Sequence, residues 1–350
     1  MSEFHSQQVM TINKQLIADL ENIARIRRRN FSVFDSYCSV LNGAPDFVTP
    51  DMIKSMTGQF GLPVHEVFVL LFASACGVDV ENSADVFLNE YIRPSVHLLD
   101  ADSYRQNPFY KNISIPCQLF GSWKTAYESY KPYELFVCND VVLYDDFKEV
   151  PQLGFFEEPF KFPVIYQDNR EWMAIKPNEI ETMRIPIQNA SGDVVAFGLG
   201  IGYYAYMVSL KPEVKSVTIV ETDSNVIELF MRFILPQFSE GHKIKIIQSD
   251  AFEFVRSNVS SFDFAFVDLW HDAGDGVELY VKMRRLESFW PETRWMYWVE
   301  DTLLSHLRWR RWNQILDSVR NGQCDDLSGD CVRLMLRNEA LKNDLLTDDF

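Results

Sequence analysis

The stretch Val194-Val195-Ala196-Phe197-Gly198-Leu199-Gly200-Ile201-Gly202-Tyr203-Tyr204 decides how the chain is read. An apolar run enters a G-x-G-x-G turn, and a helical pattern follows. Glycines allow a tight strand-to-helix turn and let a ligand approach bare backbone. The helix start beyond them offers unpaired N–H groups. A dinucleotide fingerprint has the spacing G-x-G-x-x-G. Counted from Gly198 and Gly200, its third glycine falls at position 203, which is Tyr203, whereas this chain places it at Gly202. The spacing suits a ligand without a pyrophosphate. A tight turn with no ligand is the other reading.

Apolar runs and helical patterns alternate on either side of this turn. Val194–Phe197, Ser216–Val220, Lys243–Ile247, Phe262–Val267, Arg294–Val299 and Cys331–Leu336 read as strands. Tyr203–Leu210, Ser224–Leu235, Ala251–Asn258, Val277–Glu287 and Thr302–Val319 read as helices between them. Buried strands alternating with helices imply a parallel sheet covered on both faces. The expected fold is α/β, Rossmann-like and doubly wound, with a mostly parallel seven-stranded sheet. Such sheets bind ligands beyond the carboxyl ends of their strands. Glu221, nineteen residues after Gly202, ends the second strand and can accept both hydroxyls of a ribose. Asp250 follows the third strand, where it can cap the next helix and also accept an adenine amine. Asp268 ends the fourth strand and opens Asp268-Leu269-Trp270-His271-Asp272.

With these residues in place, the region from about 190 to 340 resembles class I S-adenosylmethionine-dependent methyltransferases. The resemblance implies S-adenosylmethionine as cofactor. Gly198, Leu199, Gly200 and Gly202 would pack on its methionyl part. Glu221 with Thr222 would bind the ribose, and Asp250 with Ala251 the adenine. Asp268 would lie near the methionyl end and the acceptor. Ala196 stands where the family often has an acid. The segments Asn169-Arg170-Glu171-Trp172, Glu181-Thr182-Met183-Arg184-Ile185-Pro186 and Val220-Glu221-Thr222-Asp223 also resemble spermidine synthases. Those enzymes usually carry G-G-G-x-G and D-S-x-D-P-x-G-P, which this chain lacks. Methyl transfer to a small-molecule acceptor is therefore the first expectation. Aminopropyl transfer, or alkyl transfer of the nicotianamine type, is the alternative, and a catalytically silent cofactor-binding protein is a third reading.

Methyl transfer needs alignment of acceptor and donor and sometimes removal of a proton. His271 has a suitable ordinary pKa and acidic neighbours. It is the expected general base or orienting group, with Asp268 and Asp272 beside it; Asp272 or Asp275 could orient it. Tyr203, Tyr204, Trp270, Glu300, Tyr166 and Trp172 are candidates to line the acceptor pocket. Each also has an ordinary packing, capping or loop role.

The first half reads differently. Residues 1–160 form a mainly helical portion, expected to cap the acceptor or to oligomerise, with a homodimer as one option. Residues 161–185 form a β-hairpin, Phe162–Tyr166 with Glu171–Ile175, and a linker; residues 186–350 form the cofactor domain. The 33 basic and 50 acidic side chains give a net charge of -17, which disfavours nucleic acid. Arg27-Arg28-Arg29 reads as a solvated helix face. The cysteines are scattered, Cys324 among them, with no C-x-x-C pair, and no metal site is expected. Met1-Ser2-Glu3-Phe4-His5 does not read as a signal peptide. The longest apolar run, Val67–Val78, is too short to span a bilayer. The expectation is a cytoplasmic protein that engages no membrane.

Overall fold

A computed structural model describes residues 2–82, 84–258, 262–321 and 327–346; Cys324 lies outside the described residues. The helix Ser2–Gly43 opens the chain. The helix Pro50–Phe60 follows, begun by Thr49, whose hydroxyl accepts from the Met52 amide at 3.3 Å. The apolar run expected to be buried forms the helix Val64–Ala75, with Val67, Phe68 and Phe72 fully buried. Among the described residues no single helix is long and apolar enough to cross a membrane.

Two small sheets come next. Strand β1 (Val96–Leu98) lies parallel to β5 (Glu149–Phe155), which pairs antiparallel with β4 (Phe136–Leu143). Strands β2 (Leu119–Phe120), β3 (Trp123–Tyr130), β6 (Phe160–Gln167) and β7 (Arg170–Ala174) form an antiparallel sheet in that order. The portion expected to be mainly helical is therefore helical only in its first part. On β3, Trp123 and Thr125 are buried while Lys124 between them is exposed. That period-two burial is what selects a strand. The hairpin of β6 and β7 turns at Asp168-Asn169, with φ of 50° and 64°. Two left-handed residues suit a tight turn between twisted strands.

The second half is a five-stranded parallel sheet with order β10-β9-β8-β11-β12. Its strands are β8 (Gly192–Phe197), β9 (Val214–Glu221), β10 (Ile244–Gln248), β11 (Phe264–Val267) and β12 (Arg294–Tyr297). Strand order reverses beside β8, so the crevice at its carboxyl end is where a ligand belongs. Seven strands were expected, and among the described residues the parallel sheet has five. Cys331–Leu336 is not a strand but part of the helix Gly329–Met335, capped by Ser328. Val332 and Leu336, four residues apart, bury themselves against Leu16, Leu20 and Ile23 of the first helix. The expected helix Ser224–Leu235 is α-helical only to Leu229 and then widens into a π-turn, Phe230–Ile234.

One buried ion pair pins both halves. Arg308, on the helix Glu300–Arg320, meets Glu149 of β5, and both are almost wholly enclosed. Trp309 donates to the same carboxylate at 2.9 Å, and Arg308 also donates to the Leu336 carbonyl at 3.0 Å.

Candidate active site

The carboxyl ends of β8, β9 and β11 bring the expected acids and glycines to one edge. Gly198 has φ 96°, and a Cβ there would lie 2.0 Å from the Asp268 carbonyl oxygen, so only glycine lets β8 end against β11. Glu221 ties the loop down. It accepts from the Leu199 amide at 3.1 Å and from the Thr222 and Asp223 amides at 2.7 and 2.9 Å. A carboxylate offers about four lone-pair sites, so Glu221 keeps room for a ligand hydroxyl. This fits the residue to a ribose, though three backbone donors already claim most of it. Ala251 lies at the start of the next helix and is buried. Asp250 is exposed, and one of its oxygens caps that helix by accepting from the Phe252 and Glu253 amides, both at 2.9 Å.

The acids at the centre are poorly solvated. Burial, reinforced by the charge of Glu221, pushes the Asp268 carboxyl up to about 7. Glu179, buried on the short helix Pro177–Thr182, is held well above the usual glutamate range by burial and then by the charge of Asp268. Among the described residues no lysine or arginine is ion-paired with Glu179, Asp268 or Glu221. The nearby Lys176 pairs with Glu171 at 2.6 Å. Sequence reasoning missed Glu179. An acid two residues after Pro177 reads as a helix-opening charge, and only the fold brings it within range of the charge of Asp268.

His271 sits over the end of β11. Its Nδ1 meets Asp275 at 3.0 Å, and its Nε2 is buried with no partner among the described residues. Burial works against ionisation of Asp275. Hydrogen bonds from the His271 ring and from the Asp272 and His271 amides outweigh it and hold this carboxyl below its usual range. Asp275 is thus the orienting acid. Asp272, expected in the catalytic group, instead caps the helix Ala273–Leu286, accepting from the Gly274 amide at 2.6 Å.

The expected acceptor-lining residues divide. Trp172 is placed edge-on to His271, with ring centroids 3.9 Å apart. Tyr204 and Trp270 are buried, and the Tyr204 hydroxyl and Trp270 Nε1 have no partner among the described residues. Tyr203 is buried against Phe109. Its hydroxyl accepts from Asn107 at 2.9 Å, and burial pushes it up to about 12. Glu300 is spent on the Tyr280 hydroxyl at 2.7 Å and Lys342 at 2.8 Å. Tyr166 bonds Glu128 and lies under Lys124 on the antiparallel sheet. Met173, which the sequence did not single out, covers the glycine loop: its sulfur accepts from the Ile201 amide at 3.2 Å. A cleft of about 960 Å³ lies elsewhere, lined by Arg25, Arg28, Phe31 and Trp312.

The model of the spermine/spermidine synthase domain matches residues 186–287. The likeness is confined to this segment, which holds the glycine loop and the acids Glu221, Asp250 and Asp268. No protein of curated function matches the chain. Among solved structures, spermidine synthase from Thermotoga maritima is 22% identical with a TM-score of 0.28, covering 35% of this chain and 45% of that one. A spermidine synthase in complex with the transition-state analogue AdoDATO is 21% identical with a TM-score of 0.31, covering 38% and 47%. A candidate O-methyltransferase from Klebsiella pneumoniae is 15% identical with a TM-score of 0.24, covering 30% and 47%. The chain thus spans under half the length of each of these three structures, and superpositions this partial carry no weight for function.

Proposed function

We propose that the protein transfers an alkyl group, aminopropyl in preference to methyl, from a sulfonium nucleoside to a small cationic amine. One observation carries this reading. Asp268 and Glu179 are poorly solvated carboxyls, the charge of Asp268 raises Glu179 while Lys176 opposes it, and no cationic side chain is ion-paired to either among the described residues. Perturbed acids beyond the carboxyl ends of a parallel sheet are candidates for function rather than for stability. An ammonium group supplies the counter-charge that the protein withholds. The family match to residues 186–287 supports the same alternative. The first expectation, methyl transfer, uses the same donor class but gives no reason for two poorly solvated acids.

The bound sulfonium would supply an electrophilic carbon and leave with the C–S electron pair as a neutral thioether. The chain's own residues do the rest. Asp268 and Glu179 hold the acceptor as an ammonium ion. Asp275 fixes the Nδ1 proton of His271, which leaves Nε2 as an acceptor. His271 Nε2 takes a proton from the ammonium, freeing the nitrogen lone pair to form the new C–N bond. Trp172 screens that nitrogen from water. The glycine loop and Glu221 orient the nucleoside.

The test is product analysis. The protein is incubated with S-adenosylmethionine or its decarboxylated form and a panel of di- and polyamines. Methylthioadenosine with an aminopropylated amine supports the reading. S-adenosylhomocysteine with a methylated amine replaces it with methyl transfer, and neither product marks a silent binder. In the productive assay His271→Ala should cut turnover by about 10²–10⁴-fold, the usual worth of a general base.

A further inference from the structure

The hairpin strand β7 delivers two consecutive side chains to the site, which a regular strand cannot do, because neighbours point to opposite faces. The ladder with β6 explains it. Ile165 pairs with Met173 and Tyr166 with Glu171, so Trp172 is an extra residue with no opposite number. Such bulges re-aim side chains and recur beside active sites. Here Trp172 reaches His271 and Met173 reaches the glycine loop.

Met173 occupies a definite place. A Cβ on Gly200 would lie 2.1 Å from its sulfur, so the thioether rests directly on the bare backbone that glycine leaves open. Three other loop amides already have acceptors. Gly198 donates to the Val220 carbonyl, Leu199 to Glu221, and Gly202 to the Leu199 carbonyl. The Ile201 amide donates to the Met173 sulfur, which covers it. A thioether is a weak acceptor, so its bulk rather than its bond closes the position. A carboxylate seeking that amide would have to expel Met173 and would then face Asp268, Glu179 and Glu221. An amine-bearing chain without a carboxylate needs no such donor and is attracted by the acids.

We infer that Met173 sets the choice of sulfonium nucleoside, admitting a side chain that carries an amine and excluding one that also carries a carboxylate. This rests on the sulfonium-nucleoside reading above. Met173 is a specificity residue and takes no part in bond making.

The experiment is calorimetry with two probes that differ only by the carboxylate: S-adenosylhomocysteine and its decarboxylated counterpart, S-adenosyl-3-thiopropylamine. The unaltered protein should bind the amine probe at least about tenfold more tightly, equivalent to about 1.4 kcal/mol. Met173→Ala should narrow the gap to about threefold or less, chiefly by tightening S-adenosylhomocysteine. Met173→Leu keeps the bulk and should keep the preference. Equal binding of both probes by the unaltered protein overturns the inference and leaves the donor class standing. A preference that survives Met173→Ala, or that is lost equally in Met173→Leu, also overturns it. Binding of neither probe overturns the sulfonium reading itself, and the inference with it.

Discussion

Two buried carboxylates sit in opposite circumstances. Glu149 is enclosed with Arg308, and Trp309 donates to its second oxygen. Glu179 is enclosed with another acid. A buried charge that is paired and hydrogen-bonded can be tolerated as architecture; one that is left unpaired is costly and persists where something outside the chain completes it. The contrast separates the joint of this protein from its site. The joint links β5, the helix Glu300–Arg320 and the carbonyl of Leu336, whereas Asp268 and Glu179 have no such cationic partner among the described residues.

The contrast can be broken by mutation. Arg308→Ala strands Glu149 without a counter-ion and should cost about 3–5 kcal/mol of stability, read from urea unfolding. A loss below 1 kcal/mol would mean that water reaches this pair. Glu221→Ala should weaken nucleoside binding by about 1–3 kcal/mol, because ligand hydroxyls and loop amides lose their acceptor. Calorimetry that finds unchanged affinity would remove Glu221 from the site.

The pH dependence sharpens the other side. Asp268 ionises near 7 in the folded protein and near 3.8 in an unstructured chain. The folded state therefore holds the extra proton between those values. The associated stability is complete below about pH 4 and lost as pH rises through 7. Asp268→Asn should flatten this part of the stability profile, and a profile identical to that of the unaltered protein would place Asp268 in water. By the same linkage, amine binding near pH 7 should release protons, detectable as a buffer-dependent heat. The smallest effect belongs to Asp250→Ala, about 1 kcal/mol from the lost helix cap, with little change in ligand affinity.

How far the sequence could be read follows the same division between periodic pattern and three-dimensional meeting. The glycine loop and the acids Glu221, Asp250 and Asp268 fall at strand ends because buried parallel strands are unmistakable apolar runs. Cys331–Leu336 misled because a six-residue run of five apolar residues and Arg333 suits a strand or a helix equally; the serine cap and the 332/336 spacing decide for helix. Strands β3 to β5 were hidden because their aromatic and charged residues alternate too loosely to stand out. His271 was legible as a base. Its orienting acid was open between Asp272 and Asp275, since both lie within one turn. Glu179 and Met173 carry no local signal: one depends on where a short helix points, the other on a ladder that skips a residue.

That skipped residue has a consequence for chain length. Removing one residue from the middle of a regular strand turns every later side chain to the wrong face. Trp172 is already outside the ladder, so its deletion would leave Ile165 opposite Met173 and Tyr166 opposite Glu171. The hairpin would close into an unbroken ribbon, Met173 would stay on the loop, and the imidazole of His271 would lose its aromatic cover. Here a single-residue deletion is structurally mild and chemically selective, trading a screened base for a hydrated one by length alone.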